Sequence, residues 1–125
     1  MRQTVDLGGK SLKLSISRRA ETRLRQRSEP LLLEMELYFS CLIRKRVYVR
    51  ESAEGREAIP VNDHLIIWFR PVVTGTCAIR KCEPDNPPVV DMPMTDPGRY
   101  FPRWLTLDYR AGQWRADFGY AGLVA

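Results

Sequence analysis

The residues best equipped for chemistry in this chain are arginines. Arg18, Arg19, Arg23, Arg25 and Arg27 fall within ten residues against one acid, Glu21, a local balance of +4 (five minus one). A helix or loop so charged can track a phosphate backbone, with an affinity that falls steeply in salt. A second cluster, Arg44, Lys45, Arg46 and Arg50, runs past Tyr48 and follows Tyr38. Guanidinium forks hold phosphates and carboxylates through paired hydrogen bonds. Aromatic faces beside them can stack on bases. Arg18, Arg19, Arg23, Arg25, Arg27, Tyr38, Arg44, Arg46 and Tyr48 are therefore the candidate binding surface, with Trp68 or Trp104 as further rings. The plainer account is a solvated basic face with strand aromatics used in packing.

Other chemistries have thinner support. Cys77 and Cys82 have four residues between them, a spacing zinc tolerates, but the remaining ligands would have to be Cys41 and His64. Cys41 falls on an apolar row, which makes it a core residue. Cys77 and Cys82 then flank a strand-end turn and are expected to join only on oxidation. His64 is the single histidine. Its neighbour Asp63 would point to the opposite face of a strand and so would not orient it. Glycine-flanked serine nucleophiles and phosphate-cradling glycine loops are absent from the sequence. The pairs Glu34/Glu36 and Asp108/Asp117 can do acid–base work only where environment splits their pKa values. Both alternate with arginines or polar groups, which reads as solvated surface. No cofactor signature is found, so an enzyme resting on His64 and a cysteine ranks third among the functional readings.

The elements that must position these residues read as strands. The chain has 125 residues, 44% hydrophobic and 28% charged, the proportions of one globular domain. Ser11–Ile16 alternates polar and apolar, and Gly8-Gly9 before it marks a turn after a first strand from Gln3 to Leu7. Ser17 to Ser28 is the helix candidate, capped by Ser17 and stopped by Pro30. Arg18 and Arg19 in its first turn oppose the helix dipole, which leaves an arginine-rich loop as the alternative.

From Leu31 to Val49 the period is two. Leu33, Met35, Leu37, Phe39, Cys41, Ile43, Val47 and Val49 share one parity, expected to be core. Glu34, Glu36, Tyr38, Ser40, Arg44, Arg46, Tyr48 and Arg50 share the other, expected to be wet. Nineteen residues is long for one strand, so a bulge or bend near Leu42–Lys45 should divide it. Leu65–Phe69 is apolar on both faces and reads as a central strand covered on both sides. Val72–Ile79 continues as strand, with a bulge or edge at Arg70-Pro71. Residues 83–98, with five prolines, read as an irregular loop. Trp104–Tyr109 and Trp114–Phe118 form a C-terminal hairpin with Gly112 in its turn. The expected fold is α+β and mostly antiparallel β, a sheet or small barrel with one helix near residues 17–28. Its core should centre on Leu33, Met35, Leu37, Phe39, Ile43, Leu65, Ile67, Phe69, Ile79 and Leu107.

Net charge is +5, with +6 in residues 1–56 and −1 in residues 57–125. Such asymmetry points to an anionic partner. Apolar runs are too short for a transmembrane helix, the N-terminus lacks a signal-peptide core, and an odd cysteine count suits reduced thiols. A cytoplasmic protein without membrane contact is therefore expected. Arg19 and Arg23, with three residues between them, resemble the opening of PilZ domains, small β-barrels that bind a cyclic dinucleotide. The Asp/Asn-x-Ser-x-x-Gly element of that family is missing, and no family is assigned. The 83–98 segment carries Glu83, Asp85, Asp91 and Asp96 and is expected to cover the basic 18–27 segment until a partner displaces it. The functional expectation is a non-enzymatic binding domain that engages another protein, or a second copy of itself, through its basic surface. The alternative is RNA or single-stranded DNA binding by the same arginines.

Overall fold

The computed structural model describes residues 1–39, 43–53, 55–74, 89–92 and 100–120. Among them the order is β1 (Arg2–Leu7), β2 (Lys10–Ile16), α1 (Arg18–Arg25), β3 (Leu31–Phe39), β4 (Arg44–Arg50), β5 (Ile59–Asn62), β6 (Leu65–Thr74), β7 (Val89–Asp91), β8 (Trp104–Arg110) and β9 (Gln113–Gly119). The strands make two sheets. The first runs β1-β2-β8-β9; the second runs β4-β3-β6-β5, with β7 also on β6. Five strand pairs are antiparallel, while β2–β8 and β3–β6 are parallel. The fold is thus α+β, rich in strand and mostly antiparallel.

Local chemistry explains the turns. Gly8 and Gly9 both have positive φ (59° and 87°), the backbone a two-residue hairpin requires, and Asp6 accepts a hydrogen bond from the Gly9 amide at 2.7 Å. A Cβ on Gly8 would run into the Phe101 ring. In the C-terminal hairpin the turn is Ala111-Gly112, again with both φ positive (51° and 76°). At Ala111 this is a left-handed conformation that an L side chain adopts at a cost.

α1 starts as its sequence dictates. The Ser17 hydroxyl accepts from the Ala20 amide at 3.1 Å and donates to Asp108 Oδ1 at 2.6 Å, while the Ser17 amide reaches Leu107 O at 2.9 Å. One residue thereby caps the helix and ties it to β8. Asp108 also accepts from Arg19, which offsets the dipole conflict of a basic first turn. Ala20 and Leu24 turn inward and join Leu12, Leu14, Ile16, Leu31, Leu33, Met35, Leu65, Ile67, Leu105, Leu107 and Phe118 in one core between the sheets. The sheets share no ladder among the described residues. Side chains join their edges instead: Gln3 Nε2 donates to Val61 O at 3.0 Å, and Lys45 Nζ donates to Phe118 O at 2.6 Å.

Several expectations change. The 31–49 run is divided, as its length required, into β3 and β4, and the two halves pair back on each other antiparallel, with Leu33 opposite Val49 and Met35 opposite Val47. Because the chain reverses, Ile43 emerges before β4 and is 63% exposed, outside the core assigned to it. The expected wet parity is also wrong on β3. Glu34, Glu36 and Tyr38 are only 3%, 1% and 5% exposed. Their strand lies between β4 and β6, and β6 is covered on both faces, with Ile67 and Trp68 both buried. Phe39 and Phe69 are half-buried, and Ile79 lies outside the described residues.

Pro71 sits inside β6 without a break. Its carbonyl accepts from the Met92 amide, so its missing donor faces the β7 side and not the β3 ladder. The proline-rich segment is not wholly irregular either. Val89–Asp91 forms β7, with Val73 opposite Val90. No helix among the described residues is long and apolar enough to cross a membrane.

Candidate binding site

Two arginine clusters exist, and they are built differently. The first is α1. Arg18, Arg19, Arg23 and Arg25 are exposed and Arg27 is half-buried. Arg19 Nη2 pairs with Asp108 Oδ2 at 2.9 Å, and Arg25 Nη2 pairs with Glu21 Oε1 at 2.5 Å, one turn apart. Among the described residues Arg18, Arg23 and Arg27 meet no carboxylate within ion-pair distance. Arg23 instead lies 5.5 Å from the Tyr109 ring centroid, and Tyr109 meets Trp114 edge-on at 4.8 Å. Both rings are half-buried on the C-terminal hairpin. They reach the helix because α1 packs on β8. The hydroxyl of Ser17, with the Tyr109 amide and Arg19, outweighs the opposing effect of desolvation and holds the Asp108 carboxyl below the usual aspartate range.

The second cluster covers the outer face of the second sheet. Register places Glu34 beside Tyr48 and Trp68, and Glu36 beside Arg46 and Arg70. Glu34 Oε2 accepts from Arg50 Nη2 at 2.6 Å and Nε at 3.2 Å; Glu34 Oε1 accepts from Trp68 Nε1 at 3.1 Å. Arg50 also lies 4.4 Å over the Tyr48 ring, and Arg46 lies 5.5 Å over Tyr38 and donates to the Tyr48 hydroxyl. Here arginines and aromatics satisfy each other and a buried carboxylate. Tyr38 and Tyr48 are consequently not an open stacking platform, whereas Arg44 remains exposed at the start of β4.

Glu36 is the exception in this network. Its Oε1 is buried without a hydrogen-bond partner among the described residues. Burial, and then the neighbouring Glu34 charge, push its pKa up against the opposing pull of Arg70, Arg46 and Arg50. The pair read as solvated surface is therefore a buried carboxyl pair in two different environments, Glu34 bonded by Arg50 and Trp68 and Glu36 with one oxygen left unbonded among the described residues.

Beside this network opens a cavity of about 580 Å³ lined by Glu34, Val49, Arg50, Glu51, Ser52, Ala53, Arg56, Trp68 and Arg70. Arg56 and Arg70 converge on one carboxylate, Asp91 of β7: Arg56 Nη1 donates to Oδ2, and Arg70 Nε donates to Oδ1 at 2.5 Å. Desolvation works to raise the Asp91 pKa, but the bonds from Arg56 and then Arg70 outweigh it and hold the carboxyl below its ordinary range. The acid of the 83–98 segment that the structure describes thus docks on Arg56 and Arg70, not on residues 18–27. Glu83, Asp85 and Asp96 lie outside the described residues.

Sequence reasoning missed Arg56, Arg70, Tyr109 and Trp114, and gave Asp91 a different basic partner. Arg56 and Arg70 stand alone in sequence, and only the sheet register brings them together. His64 opens β6: its amide donates to the Asn62 side chain at 2.7 Å, and its carbonyl accepts from Leu31. Cys41, Cys77 and Cys82 lie outside the described residues, so the thiol readings stay where the sequence left them. Among the described residues, no three His, Cys, Asp or Glu side chains gather as a metal site. Set against protein-family profiles, curated proteins and solved structures, the chain matches none.

Proposed function

We propose that this protein is a non-enzymatic binding domain for single-stranded nucleic acid, which it holds through α1 and the adjoining C-terminal hairpin. The observation that carries this reading is that, among the described residues, three of the five arginines between positions 18 and 27 meet no carboxylate, while one of them, Arg23, lies over the half-buried Tyr109 ring of an aromatic pair. Phosphates would track Arg18, Arg19, Arg23, Arg25 and Arg27. Bases would stack against Tyr109 and Trp114, the combination that sequence-tolerant single-strand binders use. Arg110 and Arg115, both exposed on the hairpin, extend the basic surface.

The second reading is a protein partner or a second copy of the chain. It is supported by β4, which ends the second sheet, carries Val49 and follows directly on Ile43, 50% and 63% exposed. An apolar patch beside charges suits a protein interface, but these residues belong to the other sheet from the one that α1 adjoins. Anisotropy of a fluorescent mixed-sequence single strand across a salt series separates the two. The nucleic-acid reading expects micromolar or tighter binding at low salt. Replacing Arg18, Arg19 and Arg23 by alanine should flatten the salt slope by roughly 2, at about 0.7 per lost phosphate contact. No binding at low salt would discard it and leave the interaction surface.

A further inference from the structure

The cavity on the second sheet has no part in that proposal, yet it is the most fully built polar site in the described chain. Its arginines are held in place before any ligand arrives. Arg50 is fixed by Glu34 and by the Tyr48 ring; Arg70 is fixed along β6, with Nη1 3.9 Å from Glu34 Oε1. Glu34 is itself anchored by the Trp68 indole. A buried carboxylate that orients guanidinium groups is the kind of supporting shell that lets a binding site form without reorganisation.

What Arg56 and Arg70 now hold is one carboxylate, gripped from both sides. It comes from a three-residue strand at the sheet edge, and its side chain is 55% exposed. Paired guanidinium groups around a single carboxylate are the geometry used to recognise carboxylate and phosphate groups of ligands. The cavity next to them is large enough for a small molecule. We propose that this cavity is an anion site in which Arg56 and Arg70, backed by Arg50, bind a ligand's carboxylate or phosphate group, and that Asp91 is a resident competitor which the ligand displaces. The exposed Asp91 pair is screened by water and contributes little to the fold, so a ligand with a second contact in the cavity exchanges for it at small cost.

The site can be read by nuclear magnetic resonance of the full chain, through the Trp68 indole N–H and the arginine Nε–H signals. Inorganic phosphate and acetate are titrated separately at constant ionic strength against chloride. The expected result is saturable movement of the Trp68 and Arg70 signals with one or both anions, and the stronger of the two identifies the ligand's chemistry. Asp91→Asn should tighten that binding about tenfold, because the competitor is gone. Arg56→Ala should abolish it. Arg56 lies between β4 and β5, outside any strand, which makes this variant safer for folding than a change at Arg70; a dispersed spectrum confirms that it folds, and Arg70→Lys supplies a second test by keeping charge but losing the fork. Replacing Arg18, Arg19 and Arg23 by alanine should leave the Trp68 movement unchanged, so this site and the nucleic-acid surface stand or fall separately. Absence of saturable movement with both anions, or equal affinity in Asp91→Asn and the parent chain, would overturn the proposal.

Discussion

The α1 surface and the outer face of β3, β4 and β6 contain the same ingredients, arginines, acids and aromatic rings, and put them to opposite ends. On α1 the guanidinium groups stand in water and their two carboxylate partners, Asp108 and Glu21, are partly exposed. Such pairs contribute about 0–1 kcal/mol each. On the sheet, Glu34 and Glu36 are out of water; Arg50, which pairs with Glu34, is stacked on Tyr48, and Arg46 is bonded to the Tyr48 hydroxyl. A buried carboxylate depends on its donors, because losing them leaves a charge without solvent. Burial, not composition, decides whether an arginine is available to a partner or already committed to the fold.

The sharpest way to break that contrast is Glu34→Ala. It strips the acceptor from Trp68 Nε1 and from two Arg50 nitrogens in one step. Arg50 regains some water, so the cost should be about 3 kcal/mol, at the lower end for breaking a buried pair. A urea unfolding midpoint reads it directly. A loss no larger than that of an α1 arginine would show the two faces to be alike after all.

Glu36→Gln tests the same face from the other side. The folded pKa of Glu36 is raised, so between its unfolded and folded values the folded chain holds more protons than the unfolded one. Its contribution is then fully present below the unfolded pKa and is lost as pH rises through the folded value. At neutral pH the ionised group is a net cost that glutamine removes. The variant should be more stable than the parent near neutrality, with the difference shrinking as the pH falls toward 4.5, the unshifted value. A difference that does not change with pH would mean that Glu36 does not titrate as its burial implies.

Much of this architecture was legible in the sequence. The glycine turns, the capped helix, the central strand at Leu65 and the final hairpin all follow from local chemistry, because turn residues and caps act within four positions. The buried face of β3 did not follow from its own alternation, since Glu34 and Glu36 look like exposed residues to any pattern of period two. The signal was one strand away. Leu65–Phe69 reads as covered on both faces, and a strand paired beside it must share that cover. Parallel pairing of β3 with β6 supplies this link, and long-range pairing is what a local pattern cannot encode. The same holds for Arg56, Arg70 and Asp91, which are scattered in sequence and meet only through register. The α1 arginines were found because they are contiguous. The ring beside Arg23 was not legible, because Tyr109 arrives from the far end of the chain.

Ser17→Ala has an intermediate expected effect. It removes the helix cap and the bond to Asp108 together, and a lost cap costs about 1 kcal/mol. The loss should grow if the α1–β8 junction depends on the hydroxyl. Ser17→Asp separates the two roles: it restores a capping acceptor but places a second carboxylate against Asp108. Recovery with aspartate would assign the effect to the cap, and failure to recover would assign it to the junction.

Arg19→Ala is expected to be the smallest perturbation of stability. Its ion pair with Asp108 is largely exposed, so the change should be about 0.5 kcal/mol or less in low salt and vanish in high salt, where screening removes what the pair contributes. The same substitution should still weaken single-strand binding at low salt, because a phosphate contact is lost whether or not the fold notices. Thermal unfolding and anisotropy on one protein preparation provide both numbers. A residue silent in the first and visible in the second is what an available arginine means. Were Arg19→Ala instead to destabilise the chain as much as Ser17→Ala, the helix arginines would be structural, and α1 would belong with the sheet face rather than in contrast to it.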